Sequence, residues 1–298
     1  MACALPTVPA KHLLIKNKST AWFGTDYTIN TYRGCCHGCI YCDSRSDCYH
    51  IEAFDTVHAK ENALAILRDD LRARARTGLV GLGSMSDPYN PFEQEAMLTR
   101  HSLELLSAFG FGAAITTKSD LIARDIDVLR EIAAHSPVLC KMTVTTTDDA
   151  LAAKIEPRAP APSRRLAAVE KLAGAGLFTG LLLMPVLPFV EDTEENVRAV
   201  VRAAAKAGAR FVYPAFGVTM RQGQREHFLA GLDEAFPGQG LAARYRARYG
   251  PRYECASPRA KQLWAAFCRE ADGAGLLYHM RDIVAASRQG NAAQLSFL

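Results

Sequence analysis

Residues Gly34 to Cys42 read Gly-Cys-Cys-His-Gly-Cys-Ile-Tyr-Cys, and Cys35, Cys39 and Cys42 among them stand in the spacing C-x3-C-x2-C. Three thiolates this close, on a loop that Gly34 and Gly38 let fold tightly, can wrap three corners of one iron–sulfur cubane. A [4Fe–4S] cluster has four irons, so three ligands leave one iron open. An open coordination position is where a metal centre does chemistry. The chain must therefore fold so that a short loop of thiols borders a cavity.

Two other readings of these cysteines compete with this one. Zinc would take His37 as a fourth ligand, but zinc ligands usually come as two separated pairs, and no later C-x2-C or H-x3-H follows. The register Cys36-x2-Cys39-x2-Cys42 opens like a bacterial ferredoxin run, which expects another cysteine four residues on and then proline. That position is Ser46, so the ferredoxin reading fails. Of nine cysteines, five fall between Cys35 and Cys48, a clustering that argues for metal in a reducing compartment and against scattered disulfides. Cys140, Cys255 and Cys268 are read as structural, as are Cys36 and Cys48, with Cys48 the first exception to look for. Met1 to Ala10 has no charged start followed by an apolar core, and the most apolar run, Leu181 to Val190, is short and holds Pro185 and Pro188. A cytoplasmic protein with no membrane partner is expected.

A strand–helix beat follows the cysteine loop. Tyr27 to Tyr32 reads as a strand, 59–77 as a helix, 79–84 as a strand, 97–109 as a helix, 113–117 as a strand, 123–135 as a helix and 138–144 as a strand. Ser163 opens another helix, 178–184 is a strand, Thr193 caps the next helix, and 210–213 is the sixth strand. Six strands alternating with helices imply parallel neighbours with right-handed crossovers. An open doubly wound sheet and a barrel both satisfy the pattern, and in both the ligands gather at the carboxyl ends of the strands. The expected organisation is an arm over 1–27, a core over 28–216, a helical extension over 217–286 and a flexible tail over 287–298. In the extension, helices are expected over 225–236, 241–249 and 259–274, and their apolar residues suit a cover for the core. The formal charge of +4 sits there too: residues 216–298 hold eleven Lys/Arg against seven Asp/Glu, with Arg244, Arg248 and Arg252 on one face.

The cysteine spacing, with the aromatic Tyr41 just before the last cysteine, resembles the signature of the radical S-adenosylmethionine superfamily. The fuller string Y-R-G-C-x-H-G-C-x-Y-C, the later S-x-S-D-P-Y, the T-T-K-S turn and E-P-R-A-P resemble its spore-photoproduct-lyase-like branch, from about Thr28 to Phe216. The resemblance implies a partial six-stranded (β/α) barrel, a [4Fe–4S] cluster on Cys35, Cys39 and Cys42, and S-adenosylmethionine as cosubstrate. Ser86, Lys118 and Thr143 would hold the methionine part, with Tyr41 and the Met184-Pro185 backbone flanking the adenine. Lys118 and Tyr213 are the candidate catalytic residues. The implied reaction is reductive cleavage of the cosubstrate to a 5′-deoxyadenosyl radical, fed by a one-electron donor of flavodoxin or ferredoxin type. DNA or a modified nucleobase is the implied substrate class. Ser84 departs from the branch, whose true lyases carry a hydrogen-donating cysteine there; a serine O–H bond is too strong for that role.

The same radical acting on a small metabolite or a protein side chain is a second reading. A non-catalytic Fe–S or zinc protein that binds nucleic acid is a third. The last residues, Gln294-Leu295-Ser296-Phe297-Leu298, resemble the peptide that bacterial repair and replication proteins insert into the DNA sliding clamp, with the final pair reversed.

Overall fold

The computed structural model describes residues 5–295. Six parallel strands lie side by side in chain order: β1 (Tyr27–Ile29), β2 (Leu79–Leu82), β3 (Gly112–Thr117), β4 (Val138–Thr143), β5 (Thr179–Leu183) and β6 (Phe211–Pro214). A short antiparallel strand, Ile15–Lys16, adds to β1, so this strand and β6 form the two edges of a seven-stranded sheet. Parallel neighbours need crossovers, and these carry α1 (Ala63–Arg72), α2 (Leu98–Ala108), α3 (Ile126–Ala133), α4 (Pro162–Gly174) and α5 (Glu194–Lys206). Thr193 caps α5 by accepting from Asn196 N at 3.2 Å. This is the partial TIM-like barrel, with β6 and Ile15–Lys16 left unjoined.

Alternation along the strands separates two cores. On β4, Val138, Cys140 and Met142 face the helices and join the main apolar cluster with Leu67, Leu103, Leu129, Val169 and Val200. Leu139 points the other way, into a smaller cluster with Phe23, Leu79, Ala114, Leu182, Phe211 and Ile283. That inner cluster is the barrel floor.

Several boundaries differ from expectation. The strand expected over 27–32 splits, because Tyr32–Arg33 leaves the main sheet to pair with His58–Lys60, which in turn pairs with Thr7–Val8. The helix expected from Ala59 therefore starts only at Ala63. The N-terminal arm is pinned twice, by Thr7–Val8 on His58–Lys60 and by Ile15–Lys16 on β1. A helix of the 3-10 type, Asp120–Asp125, precedes α3.

The extension opens with β7 (Gly217–Thr219), which pairs antiparallel with β8 (Glu254–Ala256). Between them lie α6 (Gln224–Ala235) and α7 (Leu241–Tyr249), and α8 (Ala260–Gly273) follows. Phe228, Leu232, Tyr245 and Tyr249 pack with Ile40, Tyr41, Leu187 and Val218, so the extension closes over the cysteine loop. Arg244 of the expected basic face stacks on Phe189 at 4.0 Å.

The tail expected over 287–298 is corrected. A last helix, α9, runs Met280–Leu295. Its first turn carries Met280 and Ile283 into the barrel floor, where Met280 Sδ accepts from Phe23 N at 3.2 Å. Of the clamp-like peptide, Gln294 and Leu295 end this helix, and Ser296 to Leu298 lie outside the described residues.

Candidate active site

A cavity of about 650 Å³ opens at the carboxyl ends of the strands and runs down toward the floor. Cys35, Cys39 and Cys42 line it, and Cys36 does not. The loop takes this course because Gly34, at φ +80°, passes where a Cβ would lie 2.3 Å from the Thr56 carbonyl. Gly38, at φ +71°, packs under the Arg158 guanidinium. Cys35 N donates to Phe54 O at 2.8 Å, Ile40 N to Ile155 O at 3.0 Å, and Arg158 N to His37 O at 3.0 Å. Cys36 turns away against Tyr32 and Val57. Cys48 is exposed, 3.6 Å from Arg221.

The donor set fits the cluster. Cys35, Cys39 and Cys42 face the same cavity from one loop. Three thiols on one cavity suit three corners of a cubane. Burial, with Asp87 beside it, pushes the Cys35 thiol up to about 12. Burial also raises Cys39 and Cys42, against the pull of Lys118. Bound iron would reverse that balance, and the three cysteines would hold it as thiolates.

Asp87 ties three loops together. It accepts from Thr117 Oγ1 at 2.6 Å, Lys118 N at 2.8 Å and Tyr89 N at 2.9 Å, and His37 Nδ1 stands 3.5 Å away. The T-T-K-S turn is thereby fixed so that Lys118 lines the cavity, its Nζ 5.5 Å above the Tyr41 ring. Burial opposes the charge on Lys118, yet Cys39, Glu156 and Cys42 outweigh it and hold the ammonium above its ordinary pKa.

Behind the loop lies a network in which Glu156 follows the strand-four end, as expected of a site residue, while its partner Arg165 was not anticipated. Glu156 accepts from the Tyr41 hydroxyl and pairs with Arg165 at 2.5 Å. Arg165 also donates to Thr143 O at 3.1 Å and Pro160 O at 2.6 Å. Burial works to raise the Glu156 pKa, but Arg165 and Lys118 outweigh it and keep the carboxylate below its ordinary value. The E-P-R-A-P string was the available signal for it.

The structure places Tyr41, Ser86, Lys118, Thr143 and Met184 on the one cavity with the three thiols. The Ser86 hydroxyl donates to Tyr32 O at 2.9 Å, leaving its lone pairs for a ligand. Tyr213 is a correction. It does not line the cavity but packs edge-on against Trp22 and Phe23, each at 5.5 Å. The 20–24 turn of the arm lies over this edge strand and puts Trp22 on the cavity in its place. Cys255 on β8 borders the cavity, with its thiol 3.6 Å from Arg252 O. Lys141, one inward position below Thr143, lines the cavity and was not anticipated.

Residues 29–212 match the family model of the Radical SAM superfamily. The chain belongs to this superfamily, and its cofactors are accordingly a [4Fe–4S] cluster and S-adenosylmethionine. An uncharacterized protein of Mycobacterium tuberculosis is 34% identical over 249 residues, covering 81% of this chain and 72% of its own. An uncharacterized protein of Methanocaldococcus jannaschii is 31% identical over 174 residues, covering 57% and 64%. Among solved structures, a spore photoproduct lyase complexed with dinucleoside spore photoproduct superposes with a TM-score of 0.60 at 18% identity, over 88% of this chain and 77% of that one. The radical S-adenosylmethionine methyltransferase TsrM of Kitasatospora setae, with tryptophan substrate and a SAM analog bound, gives 0.53 at 11% identity, over 83% and 51%. These likenesses establish a fold of the spore photoproduct lyase type.

Proposed function

We propose that this radical S-adenosylmethionine enzyme acts on a nucleobase, in DNA or a modified nucleotide, brought into the cavity beneath the cysteine loop. The observation that carries the reading is Trp22. Its side chain is 46% exposed, yet it lines the cavity, braced edge-on by Phe23 at 4.9 Å and Tyr213 at 5.5 Å. A held indole offers a flat face to a planar ring, and stacking a base on an aromatic side chain contributes about 1–3 kcal/mol. Chemistry on a base requires taking it out of its stack into such a pocket. The excess of Lys/Arg beyond residue 215 supports a polyanionic partner, as does the fold shared with a lyase solved with a dinucleoside.

When bound and reduced, the cluster and S-adenosylmethionine supply a 5′-deoxyadenosyl radical that takes a hydrogen atom from the substrate. The residues of this chain position the partners. Cys35, Cys39 and Cys42 would hold the cluster. Lys118 would receive the methionine carboxylate, with Ser86 and Thr143 as polar neighbours. Tyr41 and the Met184-Pro185 backbone would flank the adenine and help to exclude water. The reductant is proposed to be a flavodoxin- or ferredoxin-type protein. Ser84, which lines the cavity 3.4 Å from Asn30 Oδ1, gives no hydrogen-donating thiol, so the reaction proposed is not photoproduct repair through a cysteine at that position.

The test is anaerobic reconstitution followed by 5′-deoxyadenosine measurement with and without single-stranded oligonucleotides. Nucleic acid is expected to stimulate cosubstrate cleavage, and Trp22→Ala to weaken oligonucleotide binding by about 1–3 kcal/mol. Cleavage indifferent to nucleic acid, with binding unchanged in the variant, would point to the metabolite reading instead.

A further inference from the structure

Lys141 is a lysine on a strand whose six residues are all buried, with 3% of its own surface exposed. It shares the inward face of β4 with Leu139 below and Thr143 above, and its Nζ sits 4.6 Å over the Phe23 ring on the apolar floor. Among the described residues its Nζ makes no hydrogen bond or ion pair, and its one titratable neighbour is the Cys140 thiol on the same strand. The charges around Lys118, from Cys39, Glu156 and Cys42, do not extend to it. The two lysines are therefore separate stations of one cavity. Small residues open the cavity below this level: Ala114 on β3 and Gly81 on β2 stand in register with Leu139, and Thr116, which pairs with Lys141, lines the cavity beside it. Barrel interiors are ordinarily filled by layers of bulky side chains, so this depth is unusual.

A buried cation without a partner is costly to keep, and burial alone pushes the Lys141 pKa down to about 7. An anion arriving with a ligand removes that cost. We propose that Lys141 is the anion-binding residue for the substrate, receiving a carboxylate or phosphate group that the substrate carries to the floor of the cavity, while Lys118 serves the cosubstrate. The inference rests on the reading that a planar substrate enters beside Trp22. Phe23 connects the two features, touching the Trp22 indole on one side and standing under the Lys141 ammonium on the other.

The experiment uses protein carrying the oxidised cluster, with S-adenosylmethionine bound and no reductant, so that nothing turns over. Acetylation of Lys141 by acetic anhydride is followed by peptide mass spectrometry while thymidine, thymidine 5′-phosphate or orotate is added. Fluorescence of Trp22 in a Trp264→Phe background reports stacking separately. Lys141 is expected to react with the cosubstrate alone present, to stay reactive with thymidine, and to be protected about tenfold or more by an anionic probe. Protection by thymidine 5′-phosphate identifies phosphate as the group, and protection by orotate identifies carboxylate. Lys141→Met is expected to bring the binding of the protecting probe down by a similar factor. The proposal is overturned if S-adenosylmethionine alone protects Lys141, if thymidine protects as well as the anions, or if neither anion protects. Quenching of Trp22 without protection rejects only the Lys141 assignment, whereas no quenching by any of the three probes rejects the stacking reading as well.

Discussion

Glu156 lies 2.5 Å from Arg165, both side chains 1% exposed, and its other oxygen takes the hydroxyl of Tyr41, the residue before the last cluster cysteine. The pair thus stands behind the metal loop as its support. A buried pair is weak evidence for stability, but removing one partner strands the other charge and costs about 3–5 kcal/mol. Glu156→Gln is expected to lower unfolding free energy by that order in urea titrations of the cluster-free protein, and to release iron faster from the loaded protein. A change below about 1 kcal/mol would place the pair in contact with water.

The cavity lining separates the thiols into two sets. Cys35→Ala, Cys39→Ala and Cys42→Ala are each expected to abolish cluster binding, measured as iron and sulfide content after anaerobic reconstitution. Cys36, packed against Tyr32 and Val57 with its carbonyl accepting from Arg158 Nε at 2.6 Å, is expected to tolerate alanine with the cluster intact. Iron lost from the Cys36 variant and retained in the Cys35 variant would mean that the other register binds.

Lys118→Met keeps much of the stem and removes the charge. Loss of a charge-assisted hydrogen bond to a carboxylate in a poorly hydrated site predicts a weakening of S-adenosylmethionine binding by about 1.5–3 kcal/mol. Equilibrium binding to the unreduced, cluster-loaded protein measures it. An unchanged dissociation constant would return Lys118 to a supporting role beside Cys39 and Glu156.

Local signals carried much of this architecture. The cysteine loop, the glycines that turn it and the 3.6-residue spacing of Ala63, Ile66, Leu67 and Leu71 need only neighbours in sequence to be read. What was missed depends on partners far away. The three-residue strands Gly217–Thr219 and Glu254–Ala256 exist because they pair with each other across two helices. Tyr213 has the right position at a strand end, but the turn at Trp22 and Phe23 comes from 190 residues earlier to cover it. Helix α9 is rich in small and polar residues after Ser287, and its order begins with Met280 and Ile283 locking into the floor. Lys141 could have been found: it is two residues before Thr143, so any argument that points Thr143 inward points Lys141 inward too.

The floor lysine makes a last prediction, on pH. Its ordinary pKa of 10.5 holds in the unfolded chain, and burial lowers it to about 7 in the folded one. Below about 7 both states are protonated, and the folded protein carries the full cost of the buried charge. Between about 7 and 10.5 the folded state sheds the proton while the unfolded state keeps it, so the cost shrinks as pH rises and is gone above the unfolded value. A shift of this size corresponds to a contribution on the order of 4–5 kcal/mol. Lys141→Met removes the titration, and should be more stable than wild type near neutrality, with the gap closing at higher pH. Urea unfolding of both cluster-free proteins at about pH 6.5 and about pH 9.5 checks this. A gap of the same size at both would show that Lys141 keeps its ordinary pKa, and that water or a counterion reaches it on the barrel floor.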